Sequence, residues 1–422
     1  MSFLDDLRWR GFVHDATPQL AEHLATGSRT AYCGFDPTAP SLQVGNLMPI
    51  MLLAQLQRAG HRPIALMGGG TGLIGDPSGK RNERPLLSKE RIRENLQRQR
   101  DQMARFLEFG PKKTDALLLD NAKWLVELKL VDFLRDIGKH FSVNVMLQKE
   151  SVTTRLEAGL SYTEFSYMLL QSYDFLHLYR ETGCTLQVGG SDQWGNITAG
   201  VDLIRRVDGG EAHALVAPLI TTSSGAKFGK SEGESIWLDP EMTSPYQFYQ
   251  FWVNTDDRDV IPYIKVFTFR QRDGADGIDA LAAMQAKDPG KREAQYKLAA
   301  DVTEMVHGKA AMDNAVAASA ILFNDWDPRR ARPEVFETLA REIPCIEVSA
   351  SDSFGLTEAI VEAKLVASKS EARRAIEQGG VYVNQQRVTD PMKKLGDEDR
   401  LAGGNILLRK GKKDFALLRR RD

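Results

Sequence analysis

Through the first half of the chain, short apolar runs alternate with stretches that carry apolar residues at helical spacing. The runs at residues 31–35, 63–67, 116–119, 141–146, 185–188 and 216–221 read as strands, and the segments between them read as helices. That alternation predicts an α/β fold, a Rossmann-like parallel sheet covered by helices, with ligands expected at the carboxyl ends of the strands. Glycine follows two of these strands, at Gly68-Gly-Gly-Thr-Gly72 and at Gly189-Gly190, where it permits close backbone approach. After Ser231 the pattern becomes aromatic and helical, with helices expected over 246–252, 291–307 and 310–323. The expected organisation is a sheet domain over 1–220, a loop over 221–244, a helical domain over 245–325, a linker over 326–353 and a small α+β module over 354–422.

Within the last module, one helix is expected near 357–365 and a second up to Gln378 with Ser370 as its N-cap, followed by strands at 381–383 and 387–388. The connection Asn384-Gln385-Gln386 lacks the glycine that usually completes a two-residue hairpin turn. Charge is unevenly divided. Residues 355–422 hold 15 Lys and Arg against 10 Asp and Glu, an excess of five that leaves −7 on the preceding chain although the total is only −2. A basic end on an acidic body points to a polyanionic partner engaged at one end.

The helix expected over 162–176 places Tyr167, Gln171 and Asp174 at i, i+4 and i+7, on one face, while Phe165, Met168, Leu169, Leu170, Phe175 and Leu176 make most of the rest apolar. Periodicity alone is equally compatible with a polar face turned to water. A helix with such apolar flanks is expected to be largely buried, however, and its polar stripe then needs partners.

Two further segments carry phosphate-binding chemistry. Residues 32–46 (Tyr-Cys-Gly-Phe-Asp-Pro-Thr-Ala-Pro-Ser-Leu-Gln-Val-Gly-Asn) read as a strand, a proline-containing loop and a helix start near Gly45, where free N–H groups and a positive dipole end suit a polyphosphate. Far downstream, Lys227-Phe-Gly-Lys-Ser231 puts two cations in a loop containing glycine and serine. Alone, Lys-x-x-Lys is an ordinary solvated loop; paired with the first segment it points to a split ATP site.

Together these segments closely resemble the two signatures of the class I aminoacyl-tRNA synthetases in their bacterial tyrosine-specific form. Gly72-Leu-Ile-Gly-Asp-Pro-Ser-Gly-Lys80, Tyr162-Thr-Glu-Phe-Ser-Tyr-Met168 and Gly189-Gly-Ser-Asp-Gln-Trp-Gly-Asn196 agree with that family, and the match covers nearly the whole chain. One departure stands out: where the family usually has His-x-Gly-His, this chain has Gln43 and Asn46, which keep N–H donors but cannot carry charge. The resemblance implies ATP-dependent ligation of L-tyrosine to tRNA(Tyr) through a tyrosyl-adenylate. It implies that Tyr167, Gln171 and Asp76 hold the substrate ammonium and that Tyr32 and Asp174 bind its phenolic hydroxyl. Gly34, Asp36, Gly190, Asp192 and Gln193 match nucleotide and adenylate positions, with Asp192 toward the ribose. Thr38, Gln43, Gly45 and Asn46 would face the phosphates and ribose from one side, with Lys80, Arg84, Lys227, Lys230 and Ser231 closing from the other. The module after residue 354 resembles an S4-type RNA-binding domain, with Arg373, Arg374, Arg409, Lys410, Lys412 and Lys413 as candidate contacts. The family is homodimeric, and Mg²⁺ is expected to accompany ATP through phosphate oxygens and water.

Other classes are disfavoured. The seven histidines show no metal-ligand spacing, so zinc is not expected. Three scattered cysteines argue against a disulfide framework and for a reducing compartment, with the cytoplasm as the default, and no apolar run reaches membrane-spanning length. Nucleotidyltransferases share a His-x-Gly-His turn but do not require the 167/171/174 trio or an S4-like tail. A tryptophan-specific sibling is opposed by Asp174 with Tyr32, which suits a phenol rather than an indole. A non-catalytic RNA-binding descendant, raised by the missing histidines, is opposed by Lys227, Lys230, Asp76 and Asp192.

Overall fold

A computed structural model describes residues 2–75, 87–149, 152–153, 159–225, 228–231, 234–349 and 354–421. The chain packs as two compact units, residues 1–243 with 255–298 and residues 244–254 with 299–422.

The first unit is built on a six-stranded sheet of β1 (Asp15–Ala16), β2 (Thr30–Phe35), β3 (Arg62–Met67), β4 (Leu117–Asp120), β5 (Cys184–Gly190) and β6 (His213–Ala217), in the spatial order β1-β6-β5-β2-β3-β4. All neighbours are parallel except β1, which runs antiparallel to β6. Helices cover both faces, which is why the central strands read as apolar runs without alternation. The helix Leu47–Arg58 between β2 and β3 is buried nearly all round, with Leu47, Ile50, Met51, Leu52, Leu53 and Leu56 at most 1% exposed. From β2 the chain winds outward to β4, then returns to lay β5 and β6 on the other side of β2. The winding direction therefore reverses between β2 and β5, and their carboxyl ends border the crevice where such sheets bind ligands.

One expected strand is a helix. Residues 141–146 are apolar and β-branched enough to read as a strand, yet Val143–Leu147 is a short helix. Met146 is its only buried residue, while Val143 and Val145 are 58% and 50% exposed. A single inward residue per turn suits a helix on a surface, and tertiary position overrides the strand propensity of the valines.

In the second unit the helix Pro245–Val253 packs on Lys309–Phe323, joined by a Gln250 to Ser319 hydrogen bond of 2.8 Å. The stretch expected as a linker contains the helix Pro333–Glu342 and a strand, Cys345–Ser349. Numbering onward from β7 (Lys230–Ser231) and β8 (Glu234–Ser235), that strand is β9, followed by β10 (Phe354–Gly355), β11 (Val381–Val383), β12 (Gln386–Val388), β13 (Lys394–Leu395), β14 (Asn405–Lys410) and β15 (Asp414–Arg421). A five-stranded sheet runs β12-β11-β14-β15-β9, with β9 parallel to β15. Leu356, Ile360, Ile376, Val381, Ile406, Leu408 and Leu418, all fully buried, form the core under the helices Leu356–Glu362 and Lys369–Glu377. The second helix is capped by Ser368, whose hydroxyl accepts from Glu371 N at 3.2 Å, rather than by Ser370 as expected.

The hairpin turn forms without glycine. Asn384 and Gln385 both have positive φ, 49° and 65°, as a type I′ turn requires. Asn384 is fixed by three hydrogen bonds: its N–H donates to Leu407 O (2.8 Å), its Oδ1 accepts from Leu407 N (2.9 Å) and its Nδ2 donates to Asp399 O (2.6 Å). Gln385 donates to Ile321 O at 2.7 Å, so side-chain bonding holds a backbone that glycine would otherwise supply. Asn384→Ala removes two buried side-chain hydrogen bonds and leaves a left-handed backbone without compensation, which is expected to cost roughly 2–4 kcal/mol. Native-state hydrogen exchange checks this: amides of β11 and β14 should lose protection in the variant while amides of β2 and β3 keep theirs.

Candidate active site

At the carboxyl end of β2, Gly34 is exposed, and a side chain there would meet nothing within 4 Å, so the central strand opens onto free space. The strand delivers Asp36 to the edge of this opening, where the carboxylate accepts from Tyr167 Oη at 3.1 Å and Thr71 Oγ1 at 2.9 Å. The first turn after β3 approaches closely: a Cβ on Gly68 would collide with the Asp36 carboxylate and the Thr71 hydroxyl, so glycine is required there. Thr38 is exposed one turn further on, its N–H bonded to Asp36 O at 2.8 Å.

The helix Tyr162–Thr182, capped by Ser161, carries Tyr167, Gln171 and Asp174. Asp174 is only 2% exposed, with Oδ2 accepting from Asn121 Nδ2 at 2.9 Å and Oδ1 from the Trp124 indole N–H at 2.7 Å. Burial nevertheless pushes its carboxyl up to about 7, opposed by those two hydrogen bonds and assisted by the charges of Asp36 and Asp120. Trp124 is itself stacked on His177, with ring centroids 4.2 Å apart. Tyr32 is 1% exposed, and among the described residues its hydroxyl has no hydrogen-bond partner. Burial and the nearby Asp174 charge hold its ionisation well above the ordinary range. Tyr32 pairs in register with Gln187 of β5, whose Oε1 is also buried and, among the described residues, unpartnered. Paired residues share a sheet face, so two orphaned polar atoms lie on the face that opens at Gly34.

Beyond β5, Asn196 Nδ2 donates to Gln171 Oε1 at 3.1 Å and to Gln193 Oε1 at 3.3 Å, linking the helix Tyr162–Thr182 to the segment after Gly190. Gln193 Nε2 lies 3.4 Å from Asp192 Oδ2, and Asp192 packs against the bare Cα of Gly190. These side chains converge on the same strand end as Asp36.

The two phosphate-type segments meet through backbone. Val44 N donates to Ile236 O (3.0 Å), Leu238 N to Leu42 O (2.9 Å) and Ile236 N to Gly229 O (3.0 Å). Gly229, at φ 82°, comes so near that a Cβ would lie 3.4 Å from Gly45 N. Phe228 anchors this loop, buried against Tyr263 and stacked on Phe267 with centroids 5.4 Å apart. Gly45 is exposed with open space around it. Asn46 does more than line the site: its Oδ1 accepts from Gln43 N at 2.8 Å and closes the turn Val44–Asn46, leaving its NH₂ as the available donor. Of Lys230 and Ser231 only the backbone is described, paired with Ser235 and Glu234. Asp76, Lys80, Arg84 and Lys227 lie outside the described residues.

Several residues that build this site carry no sequence motif. Asn121, Trp124 and Thr71 come from the ends of β3 and β4. The helix Lys89–Met103 presents three amides at helical spacing: Asn95 donates to Pro37 O (2.9 Å), Gln99 to Ala39 O (2.8 Å) and Gln102 to Ser41 Oγ (2.9 Å). They pin the loop that joins Asp36 to Gln43. Only the i, i+4, i+7 spacing of amides in an otherwise charged helix could have signalled them. Among the described residues, no group of three or more His, Cys, Asp and Glu is placed to hold a metal ion, and no helix is long and apolar enough to cross a membrane.

In the C-terminal module, Arg373, Arg374, Lys412 and Lys413 are exposed. Arg409 is engaged within its own unit: its side chain is 14% exposed, paired with Asp325 at 2.9 Å and lying over the Tyr382 ring at 4.1 Å. Lys410 pairs with Glu371 at 3.0 Å.

A doubly wound sheet whose switch point gathers a buried carboxylate pocket beside two phosphate-type turns has the architecture of a class I synthetase catalytic domain. Residues 25–324 match the family model of the tRNA synthetases class I (W and Y), and residues 335–418 match that of the tyrosine–tRNA ligase SYY-like C-terminal domain. The chain belongs to this class I family. It is 52% identical over 420 residues to a tyrosine–tRNA ligase of Anaeromyxobacter dehalogenans (strain 2CP-1), covering 99% of each chain. It is 47% identical over 421 residues to tyrosine–tRNA ligase 1 of Bacillus subtilis (strain 168), again covering 99% of each. Among solved structures, a C-terminally truncated mitochondrial tyrosyl-tRNA synthetase of Aspergillus nidulans superposes with a TM-score of 0.69 at 32% identity, covering 76% of this chain and 94% of that one.

The raised Asp174 carboxyl makes a signed prediction for the protein without ligands. The unfolded carboxyl ionises near 3.8 and the folded one near 7, so between these values the folded state holds the proton and stability falls as pH rises. Above about pH 7 the loss is complete and constant. Asp174→Asn abolishes that slope, although it also mispairs one of the two donors and so carries a pH-independent cost. Urea unfolding from pH 4 to 8 should show the stability of the variant relative to wild type rising across the window and levelling off, with a total change on the order of a few kcal/mol.

Proposed function

We infer that this protein ligates L-tyrosine to tRNA(Tyr) with ATP. The observation that carries the reading is the Tyr32 hydroxyl, buried without a partner among the described residues next to an Asp174 carboxylate already oriented by Asn121 and Trp124. A buried hydroxyl left unpaired is costly, and a ligand phenol at this end of the pocket satisfies it. Tyr167 and Gln171, with Asp76, hold the ammonium group at the other end. The substrate carboxylate then attacks the α-phosphorus of ATP; the bond to the leaving pyrophosphate breaks, giving tyrosyl-adenylate. No protein nucleophile is needed, so catalysis rests on positioning and on stabilising charge as pyrophosphate departs. Gly34, Asp36, Gly190, Asp192 and Gln193 position the nucleoside. Thr38, Gln43, Gly45 and Asn46 donate toward the phosphates from one side, and Lys80, Arg84, Lys227, Lys230 and Ser231 bring charge and hydroxyl from the other. Mg²⁺ bound with ATP would supply further charge neutralisation at the phosphates. A terminal tRNA hydroxyl then takes the tyrosyl group, with Arg373, Arg374, Lys412 and Lys413 as the accessible basic contacts of the C-terminal module and Lys410 and Arg409 contributing less freely. Free thiols at Cys33, Cys184 and Cys345 agree with a cytoplasmic setting.

Tyrosine-dependent ATP–pyrophosphate exchange, followed by charging of tRNA(Tyr), tests the activity; a purified, folded chain inactive in both would overturn it. The pocket makes its own prediction. Tyr32→Phe removes an orphaned hydroxyl, so the ligand-free variant should be as stable as wild type or more so by about 1 kcal/mol, while its preference for tyrosine over phenylalanine falls by ~1.5–3 kcal/mol. Thermal unfolding paired with exchange kinetics for the two amino acids reads both.

We also infer a homodimer. Between residues 126 and 147 the first unit exposes Val126, Leu130, Val131, Leu134, Val143 and Val145, each at least 46% accessible. So many large apolar side chains within one short segment mark an interaction surface rather than scattered exposure. A second copy is the partner that the family supplies. Leu130→Asp with Val131→Asp should shift the sedimentation coefficient from dimer to monomer at micromolar concentration, and unchanged sedimentation would place the interface elsewhere.

A further inference from the structure

Thr71 connects the two ends of the pocket. It is 3% exposed, and its hydroxyl has one neighbour on each side: Asn121 Nδ2 at 3.1 Å and Asp36 Oδ1 at 2.9 Å. The direction of these bonds is fixed. Asn121 Oδ1 accepts from Gly70 N at 2.8 Å, which sets the amide orientation and makes Nδ2 the donor toward both Thr71 and Asp174. Thr71 Oγ1 is therefore the acceptor from Asn121, and its single proton goes to Asp36, which also receives the Tyr167 hydroxyl. The result is a one-way chain from Asn121, shared with Asp174, through Thr71 to Asp36.

We propose that Thr71 is a positioning residue that couples the hydroxyl-recognising end of the amino-acid pocket to the strand end where the nucleotide is activated. The proposal rests on the function inferred above for its two termini, Asp174 and Asp36; the chain between them stands on geometry alone. When a phenol donates to Asp174, the carboxylate is held ionised and draws on the Asn121 amide. Because the other Nδ2 proton of that amide is held on Thr71, the hydroxyl cannot rotate away, and its proton stays aimed at Asp36. Hydrogen bonds in such a chain polarise one another, so occupancy at Asp174 fixes how Asp36 is presented to the nucleotide. The turn is built for this contact, since a side chain on Gly68 would displace both Thr71 and Asp36.

Replacing Thr71 by valine keeps its shape but leaves one Asn121 proton without its acceptor and removes one donor from the Asp36 carboxylate, which keeps the Tyr167 hydroxyl, whereas serine keeps the Thr71 hydroxyl. The groups that face Asp174 are Tyr32 and Asp36 from β2 and its end, Asp120 at the end of β4, Asn121 and Trp124 beyond it, and His177 stacked on Trp124. Of these, the Asn121 bond is the one Thr71 controls, and it favours the ionised form. In Thr71→Val a weakened Asn121 bond should raise the midpoint of Asp174 ionisation by about half a pH unit or more. That midpoint can be read without substrate, from the pH dependence of unfolding stability relative to Asp174→Asn in the same background. In the same variant, KM for ATP in pyrophosphate exchange should rise roughly 3- to 10-fold, and Thr71→Ser should restore both readouts. Thr71→Val with an unchanged midpoint and unchanged KM for ATP would overturn the proposal, as would a serine variant no better than valine. A shifted midpoint in a wild-type background that performs no tyrosine-dependent exchange would support the chain and instead defeat the inferred function.

Discussion

A carboxylate in an apolar interior is the constraint around which this catalytic unit is arranged. Moving an ionised group from water into a protein core costs several kcal/mol unless hydrogen bonds and charge compensate. Asp174 lies 2% exposed on a helix whose next residues, Phe175 and Leu176, are fully buried. Two donors, Asn121 and Trp124, reach it from the segment after β4, yet its carboxyl is still pushed up to about 7. The compensation is thus incomplete. In the function proposed above, this incompletely compensated acceptor beside the Tyr32 hydroxyl is the deficit that a phenol would relieve and a phenyl ring would not.

The same requirement propagates outward. Asn121 can donate to Asp174 only because its amide is oriented by Gly70, and Gly70 belongs to a turn that can approach Asp36 only because residue 68 has no side chain. Trp124 is held in place by stacking on His177, one turn along from Asp174 on the same helix. Asp36 in turn bonds Tyr167, so the helix Tyr162–Thr182 is tied at Tyr167 and at Asp174 to the segments that follow β2 and β4. Asp174 and Asp36 therefore belong to one hydrogen-bonded unit. Such networks are worth more than their separate bonds when complete and are destabilising when broken.

What could be read from the chain follows from how local each feature is. The parallel strands were legible because burial on both faces leaves continuous apolar runs, and the trio Tyr167, Gln171 and Asp174 was legible because one helix carries it. Thr71, Asn121 and Trp124 were not, since they are brought together by strand order, which no local spacing encodes. Residues 141–146 misled for a related reason: their valines favour a strand, but only Met146 faces the core. In the C-terminal module the helix began at Ser368 rather than Ser370 because both serines are competent caps and only the geometry selects between them. Arg409 looked like a surface cation, but its neighbours Tyr382 and Asp325 come from elsewhere in the chain.

The frame that holds Gln43 and Asn46 in place does not rely on their side chains alone. The two phosphate-type segments are joined by main-chain bonds, Val44 N to Ile236 O and Leu238 N to Leu42 O, and by the bare approach of Gly229 to Gly45. None of these depends on the side chains at 43 and 46. The Asn95, Gln99 and Gln102 amides likewise hold the preceding loop through Pro37, Ala39 and Ser41. Asn46 even adds to this frame, because its carbonyl oxygen caps the turn and so orients its NH₂ outward. An amide held in this way presents a directed neutral donor without the desolvation cost of a charged imidazolium. In the function proposed above, the positive charge needed as pyrophosphate leaves then falls to Lys80, Arg84, Lys227 and Lys230 rather than to the turn itself.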